Sequence, residues 1–175
     1  MNTYWSTYVQ TTEELYLSRS LKFHRGNIGR WIEAMGLRDG MNILEVGCAG
    51  GLLCHRLKEC LPNAEITGLD LDTRHISYAK KKAEELNLPC HFIAGDVVKL
   101  PFGNNTFDVC YSHTVMNFCE PEKFVGEQHR VLKPGGRIIV MDVYNRGSKP
   151  EEWIPTDHCE EKELFDKLWA AAADN

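Results

Sequence analysis

The stretch that decides the fold is Asn42–Leu57, NILEVGCAGGLLCHRL. Its apolar beginning, Ile43–Val46, predicts a short buried strand, and its end has the leucine spacing of a helix. Between the two lie the small residues Gly47–Gly51, which predict a tight glycine-rich turn. A strand that enters a helix through such a turn lets backbone N–H groups approach a ligand closely. The stretch therefore predicts a ligand site, without deciding which ligand.

The rest of the chain alternates between strand and helix patterns. Two helices come first, one from the capping-box pattern Thr11–Glu14 to about His24 and one over Ile28–Met35. The alternation that follows predicts an α/β fold, a doubly wound, mainly parallel sheet of five strands with ligands at the carboxyl ends of those strands. We expect strands at 42–46, 65–69, 90–94, 107–112 and 137–143, and helices at 51–60, 73–87, 121–132 and 160–173.

The length of 175 residues fits a single domain. We divide it into an N-terminal helical lid over residues 1–40, a ligand-binding core over 41–143, and an acidic loop and helix over 144–175. Residues 151–175 hold eight acids and two bases, which we interpret as a solvated helix face.

Composition and charge argue against several classes of function. No apolar run approaches the roughly 20 residues of a membrane span, and the N-terminus lacks the features of a signal peptide. We therefore expect a cytoplasmic protein that does not enter a membrane. The net charge of −5 leaves no basic stripe of the kind that nucleic-acid binding needs, so we expect no nucleic-acid partner.

The cysteines and histidines do not form metal-binding patterns. There are seven of each, with no C-x-x-C pair and no H-x-x-x-H pair. Reduced, buried thiols are the usual state of such cysteines in a cytosolic protein, so we expect no disulfide and no metal site.

Three acids fall at the predicted ends of consecutive strands: Glu45, Asp70 and Asp96. Carboxylates clustered at one sheet edge cost free energy unless a ligand or water uses them. Asp70 follows the turn at about the distance where a strand-end acid meets ribose hydroxyls in nucleotide-binding α/β folds. A carboxylate can accept hydrogen bonds from both adjacent hydroxyls, so the pattern favours a nucleoside ligand.

The residues of the turn narrow the choice of nucleoside. A dinucleotide fingerprint, G-x-G-x-x-G, would fall on Gly47, Ala49 and Leu52, so two of its glycines are missing, and no G-K-S/T follows for a P-loop. An NAD-linked oxidoreductase is therefore disfavoured. Glu45 stands just before the turn and suits a cationic group better than a pyrophosphate. S-adenosylmethionine, which carries a ribose and an ammonium group but no phosphate, fits these residues better.

These stretches resemble the motifs of class I S-adenosylmethionine-dependent methyltransferases, in particular the small-molecule and ubiquinone/menaquinone-type subgroup. The resemblance covers roughly residues 40–143 and implies a Rossmann-like fold. Four motifs in the family's order carry it: Ile43–Gly51, Thr67–Asp72, Gly95–Asp96 with Leu100–Phe102 and Phe107–Asp108, and Leu132–Arg137.

The resemblance also implies residue roles. Glu45 and the turn would hold the methionine part of the cofactor, Asp70 the ribose, and Asp96 the exocyclic amine of the adenine. Ala49 stands where the family usually has glycine, and its methyl group crowds the turn without abolishing binding. The other implied cofactor-binding residues are Gly47, Cys48 and Gly51 in the turn, Leu71 beside the adenine, Val97 through its backbone N–H, and Ser112 at the methionine end.

Methyl transfer from a sulfonium needs alignment and exclusion of water more than acid–base chemistry. We therefore expect direct transfer to a small-molecule acceptor, with S-adenosylhomocysteine as the product. His113 is the candidate base if the acceptor must lose a proton. Met116 and Asn117 are candidates for the acceptor pocket, and Tyr8, Tyr16 and Arg19 are candidates for the lid.

Two alternatives stay open. The family's sheet usually continues past the fifth strand, so either this chain is truncated or its sheet has five strands. The chain could accordingly be a non-catalytic module that binds S-adenosylmethionine or S-adenosylhomocysteine without a complete substrate wall. An uncovered fifth strand is also a pairing template, so we expect a homodimer through this strand's edge or through the C-terminal helix.

Overall fold

A computed structural model describes residues 10–142. It contains an N-terminal helical pair followed by five strands and three further helices, with one 3₁₀ turn at Met116–Phe118. The strands are β1 Asn42–Val46, β2 Glu65–Asp70, β3 His91–Ala94, β4 Phe107–His113 and β5 Leu132–Met141. The helices are α1 Thr12–Lys22, α2 Ile28–Met35, α3 Leu52–Cys60, α4 Thr73–Leu86 and α5 Pro121–Val131.

The five strands form one sheet in the order β3-β2-β1-β4-β5. All four neighbouring pairs are parallel, so the carboxyl ends of the strands lie along one edge. The order reverses at β1, which places the glycine-rich turn after β1 at the switch point where such sheets bind ligands. The predicted α/β, doubly wound, Rossmann-like fold is confirmed.

Helices cover both faces of the sheet. On one face, buried residues of α1 to α4, such as Tyr16 and Leu57, pack against Ile43 and Ile66 of the strands. On the other face, α5 buries Phe124 and Val131 against Leu44 and Leu69. Central strands covered on both sides are apolar almost throughout, and within Ile43–Val46 only Glu45 is polar.

Local signals set the ends of the N-terminal helices. Thr11 and Glu14 form the expected capping box, in which the Thr11 N–H donates to the Glu14 carboxylate at 2.8 Å. α2 ends at Gly36, which takes a left-handed conformation with φ of 61°. α1 ends at Lys22, two residues before the predicted end at His24.

β5 begins earlier than predicted. The sequence predicts a turn at Pro134–Gly136 and a strand from residue 137, whereas the strand starts at Leu132 beside Phe107. The register between β4 and β5 shifts before Arg137, so the Pro-Gly-Gly segment is an irregularity inside the strand. Glycine and proline at such a position mark a bulge as readily as a turn.

Several expectations lie outside the described residues. These are the lid residue Tyr8, the last residue of the predicted fifth strand at position 143, and the acidic loop and helix over 144–175 with its truncation. Within residues 10–142, no helix is both long and apolar enough to cross a membrane. The same residues contain no cluster of His, Cys, Asp and Glu that could hold a metal ion.

Candidate functional site

The turn after β1 is held in shape by β2. The N–H groups of Gly47 and Cys48 both donate to the Leu69 carbonyl, at 2.7 and 2.9 Å. Gly47 has φ of 76°, and a Cβ at this position would overlap the side chain of Val115. Only glycine combines this conformation with so close an approach. Ala49 also takes a left-handed conformation, with φ of 47°, which is strained for alanine.

Asp70 compensates for this strain. It is the last residue of β2, and its Oδ2 accepts the Ala49 N–H at 2.8 Å. Its Oδ1 accepts the Asp72 N–H at 2.9 Å and lies 3.3 Å from His75 Nδ1. One carboxylate therefore connects the turn after β1, the loop after β2 and the first turn of α4.

A cavity of about 390 Å³ opens at the carboxyl edge of the sheet beside this carboxylate. Its volume lies in the range of about 300–1,000 Å³ that is typical of small-molecule sites. A larger cavity of about 830 Å³ lies at the opposite end of β3, beside His91, away from the turn. The residues lining the smaller cavity are Leu15, Arg19, Gly47, Ala49, Asp70, Leu71, His75, Asp96, Val97, Thr114, Val115, Phe118 and Cys119.

Seven of the sequence-predicted site residues meet in this cavity wall. Six are expected cofactor residues and one, Arg19, is an expected lid residue that reaches the cavity from α1. Asp96 lies just beyond β3, and its Oδ1 accepts the Val98 N–H at 3.0 Å. The six cofactor residues are Gly47, Ala49, Asp70, Leu71, Asp96 and Val97.

Glu45 lies beneath the cavity and is not part of its wall. Only 1% of the residue is exposed, and its Oε2 accepts hydrogen bonds from the Tyr111 hydroxyl and the Cys54 thiol, both at 2.9 Å. Burial raises the pKa of the Glu45 carboxyl to about 7, against the lowering effect of these donors and of Arg19. A carboxyl that is partly neutral and accepts two hydrogen bonds is suited to packing under the turn.

His113 has a contact that opposes the expected role as a base. Lys22 Nζ lies 2.6 Å from His113 Nε2, and an ammonium group can only donate, so the ring nitrogen accepts. Burial lowers the pKa of His113 to about 4, and the positive charges of Arg19 and Lys22 add to this effect. The lone pair that a base would use is therefore occupied.

The remaining expected residues within the described range do not line the cavity. Cys48 and Ser112 are buried, and the Ser112 hydroxyl has no hydrogen-bond partner among residues 10–142. Tyr16 packs behind the turn, where its hydroxyl lies 3.2 Å from His55 Nδ1. Asn117 donates to Asp142 at 2.7 Å. Gly51 caps α3, and Met116 opens the 3₁₀ turn after β4.

His75 is the principal residue that the sequence reasoning missed. It lines the cavity, is 5% exposed, and has a buried Nε2 atom with no partner among residues 10–142. The sequence did contain a signal for His75, because a histidine five residues after a strand-end acid falls in the first turn of the next helix. Leu15, Thr114, Val115 and Cys119 of the cavity wall were missed too.

These residues fit a nucleoside with an amino-acid end. Asp70 and Asp96 offer carboxylates, Leu71 and Val97 offer apolar sides for a base, and the unpartnered His75 Nε2 offers a further polar contact. A doubly wound sheet with this constellation at its switch point has the architecture of the class I S-adenosylmethionine-dependent methyltransferases.

Comparison with known proteins agrees with this class. A family model described as a methyltransferase domain matches residues 37–174, so the chain belongs to the methyltransferase-domain family. The cofactor of the class is S-adenosylmethionine.

Two curated relatives and one solved structure illustrate the similarity. The chain is 39% identical over 101 residues to a demethylmenaquinone methyltransferase of Thermus thermophilus, covering 57% of this chain and 46% of that protein. It is 35% identical over 119 residues to the ubiquinone/menaquinone biosynthesis C-methyltransferase UbiE of Ruegeria, covering 64% and 48%. The chain thus spans about half the length of these relatives. A crystal structure of a SAM-dependent methyltransferase from Aquifex aeolicus shares the fold, with a TM-score of 0.62, 20% identity, and coverage of 95% and 83%.

Proposed function

We propose that this chain binds S-adenosylmethionine in the cavity and transfers its methyl group directly to a small molecule, leaving S-adenosylhomocysteine. The observation that carries the proposal is the position of Asp70, which lines the cavity and also fixes Ala49 through a 2.8 Å hydrogen bond. A carboxylate held in this way is preorganised for ribose hydroxyls, so little ordering is left for the binding step.

The cofactor supplies an activated methyl group on a sulfonium when it is bound. The chain's own residues bind and orient it: Asp70 on the ribose side, Leu71 and Val97 beside the base, and Asp96 toward its exocyclic amine. Gly47 and Ala49 bring the backbone of the turn against the methionine part. The cofactor-site residues that support this arrangement without lining the cavity are Glu45, Cys48, Gly51 and Ser112.

The acceptor enters on the side of β4. Val115, Phe118 and Cys119 follow this strand and line the cavity, and Phe118 is 68% exposed. An apolar small molecule suits these three side chains. The proposal assigns no proton transfer to His113, whose Nε2 already accepts from Lys22.

Calorimetry with S-adenosylmethionine and S-adenosylhomocysteine tests the cofactor site. Asp70→Ala removes a charged acceptor and leaves the Ala49 N–H unpaired, so we expect binding about a hundredfold weaker than in the wild-type chain. Glu33→Ala, an exposed acid on α2, is the matched control and should bind as the wild type does. Equal affinity in Asp70→Ala and the control would contradict the ribose assignment.

Transfer of a labelled methyl group to a pool of small metabolites tests the reaction. Labelled product that forms only when the chain is present would support the proposed enzyme activity. Tight cofactor binding without labelled product, from this chain and from a longer form of it, would instead indicate a binding module.

We further propose that the chain self-associates through the edge of β5 or through residues 144–175. Among the described strands, β5 pairs only with β4, and an unpaired edge of ten residues is a template for another strand. Analytical ultracentrifugation at high protein concentration should show a dimer, and a monomeric mass would count against the proposal.

A further inference from the structure

The Asp70 carboxylate has less capacity for a ribose than its position suggests. Its Oδ1 accepts the Asp72 N–H and faces His75 Nδ1, while its Oδ2 accepts the Ala49 N–H. A carboxylate offers about four acceptor positions, so three are used and one is left for a ligand. A ribose presents two adjacent hydroxyls, so the second hydroxyl needs another partner.

His75 has the free atom that Asp70 lacks. It lies in the first turn of α4, lines the same cavity and is 5% exposed. Because a carboxylate can only accept, the Nδ1 atom facing Asp70 carries a hydrogen. Nε2 is buried and has no partner among residues 10–142. A buried polar atom without a partner is costly unless a ligand satisfies it.

We propose that His75 Nε2 binds one ribose hydroxyl of the cofactor while Asp70 Oδ2 binds the other. The inference rests on the proposed function and divides the ribose between two side chains. It accounts together for the unpartnered nitrogen, for the placement of His75 in the cavity wall, and for the saturation of Asp70 Oδ1.

A purely structural role for His75 makes the opposite prediction for two substitutions. In that role only Nδ1 matters, because it holds Asp70. His75→Asn keeps a polar group near the position of Nδ1, whereas His75→Gln keeps one near the position of Nε2. Ribose contact therefore predicts that His75→Gln retains cofactor affinity better than His75→Asn, and a structural role predicts the reverse order. His75→Phe removes both polar atoms and gives the lower limit.

The experiment measures binding of adenosine, 2′-deoxyadenosine and 3′-deoxyadenosine, with S-adenosylhomocysteine as the full ligand. We expect one of the two deoxy ligands to bind the wild-type chain about tenfold more weakly because of the hydroxyl it lacks at His75. In His75→Phe this deoxy ligand should bind as well as adenosine does. His129→Gln, an exposed histidine on α5, is the control and should keep the wild-type penalty.

An independent readout comes from the nitrogen chemical shifts of the His75 ring. Adding S-adenosylhomocysteine to the wild-type chain should shift Nε2 by hydrogen bonding and leave Nδ1 nearly unchanged. The inference is overturned if both deoxy penalties persist in His75→Phe, or if His75→Asn retains affinity better than His75→Gln. Failure of the wild-type chain to bind adenosine or S-adenosylhomocysteine would instead contradict the proposed function itself.

Discussion

Glu45 and Asp70 are carboxylates at the ends of neighbouring strands, yet they lie in different environments. Glu45 stands level with Gly68 in the register of β1 and β2, and Asp70 is two residues further along β2. Two residues along a strand are about 6.6 Å, with the side chains on the same face. This offset places Asp70 in the cavity wall and Glu45 beneath it, bonded to Tyr111 and Cys54.

The comparison shows that the position of a carboxylate along its strand decides whether it is buried in the core or faces the cavity. The buried Glu45 has its pKa raised to about 7 by desolvation, and it satisfies two neutral donors. Asp70 accepts backbone N–H groups from two loops and keeps a face toward the cavity. We therefore expect substitutions of Glu45 to affect mainly stability and substitutions of Asp70 to affect mainly ligand binding.

The largest effect should appear in the pH dependence of stability. The folded state binds a proton on Glu45 between the ordinary pKa of 4.5 and about 7, whereas the unfolded state does not. Stability from this group is therefore present below pH 4.5 and is lost as pH rises toward 7 and above. From pH 5 to pH 8 the loss should be roughly 2–3 kcal/mol in the free energy of unfolding, measured with urea.

Glu45→Gln should remove this loss, because the amide does not titrate. Asp70→Asn is the matched comparison and should keep the loss that the wild-type chain shows. A Glu45→Gln variant with the same decline in stability from pH 5 to pH 8 as the wild-type chain would contradict the buried, proton-binding role of Glu45.

The same two amide variants should affect cofactor affinity in the reverse order. Asp70→Asn loses the charge that faces the cavity, so we expect S-adenosylhomocysteine to bind about tenfold more weakly in calorimetry. Glu45→Gln keeps an acceptor for Tyr111 and Cys54, and its affinity should change by less than about threefold. A larger loss in Glu45→Gln would mean that this carboxyl contacts the cofactor directly, as the family resemblance implied.

A smaller effect is expected from Tyr16, which is buried on the Glu45 side of the turn. Its hydroxyl donates to His55 Nδ1, and His55 Nε2 donates to the Ala79 carbonyl at 3.2 Å. Tyr16→Phe leaves His55 Nδ1 without a partner and should lower the free energy of unfolding by about 1 kcal/mol. Tyr78→Phe, which alters the neighbouring ring, is the control. Equal urea midpoints in the two variants would argue against an anchoring hydrogen bond.

The smallest effect concerns His113. Desolvation and the charges of Arg19 and Lys22 lower its pKa to about 4, so the ring should stay neutral from pH 5.5 upward. An NMR titration of the ring protons should show His113 changing near pH 4. The ordinary pKa of a histidine is about 6.5. A midpoint for His113 near 6.5 would show that Lys22 does not occupy its Nε2.

Much of the fold could be predicted because its signals are local. Apolar runs, the capping box at Thr11 and Gly36 after α2 each act within a few residues and define where elements begin and end. The start of β5 could not be predicted in this way. Pro134–Gly136 suits a turn as well as a bulge, and only pairing with Phe107 decides between them.

The candidate site likewise has features that the sequence predicts and features that only tertiary contacts decide. The positions of Asp70, Asp96 and the glycine-rich turn follow from the rule that parallel strands end at one edge. The hydrogen bond between Lys22 and His113 joins residues 91 positions apart, and no local sequence pattern predicts it. The role proposed for His75 likewise depends on the three hydrogen bonds around Asp70.

The sequence by itself determined the order of the elements, the turn after β1 and the acids at the strand ends, because these depend on short-range spacing and backbone preference. Only the tertiary structure decided which acid borders the cavity. It also decided that Nε2 of His113 has a hydrogen-bond partner, whereas Nε2 of His75 has none among residues 10–142. These outcomes depend on strand register and on burial, which arise when distant segments pack together. Glu45 and Asp70 look alike in the sequence, and a two-residue offset between neighbouring strands separates them.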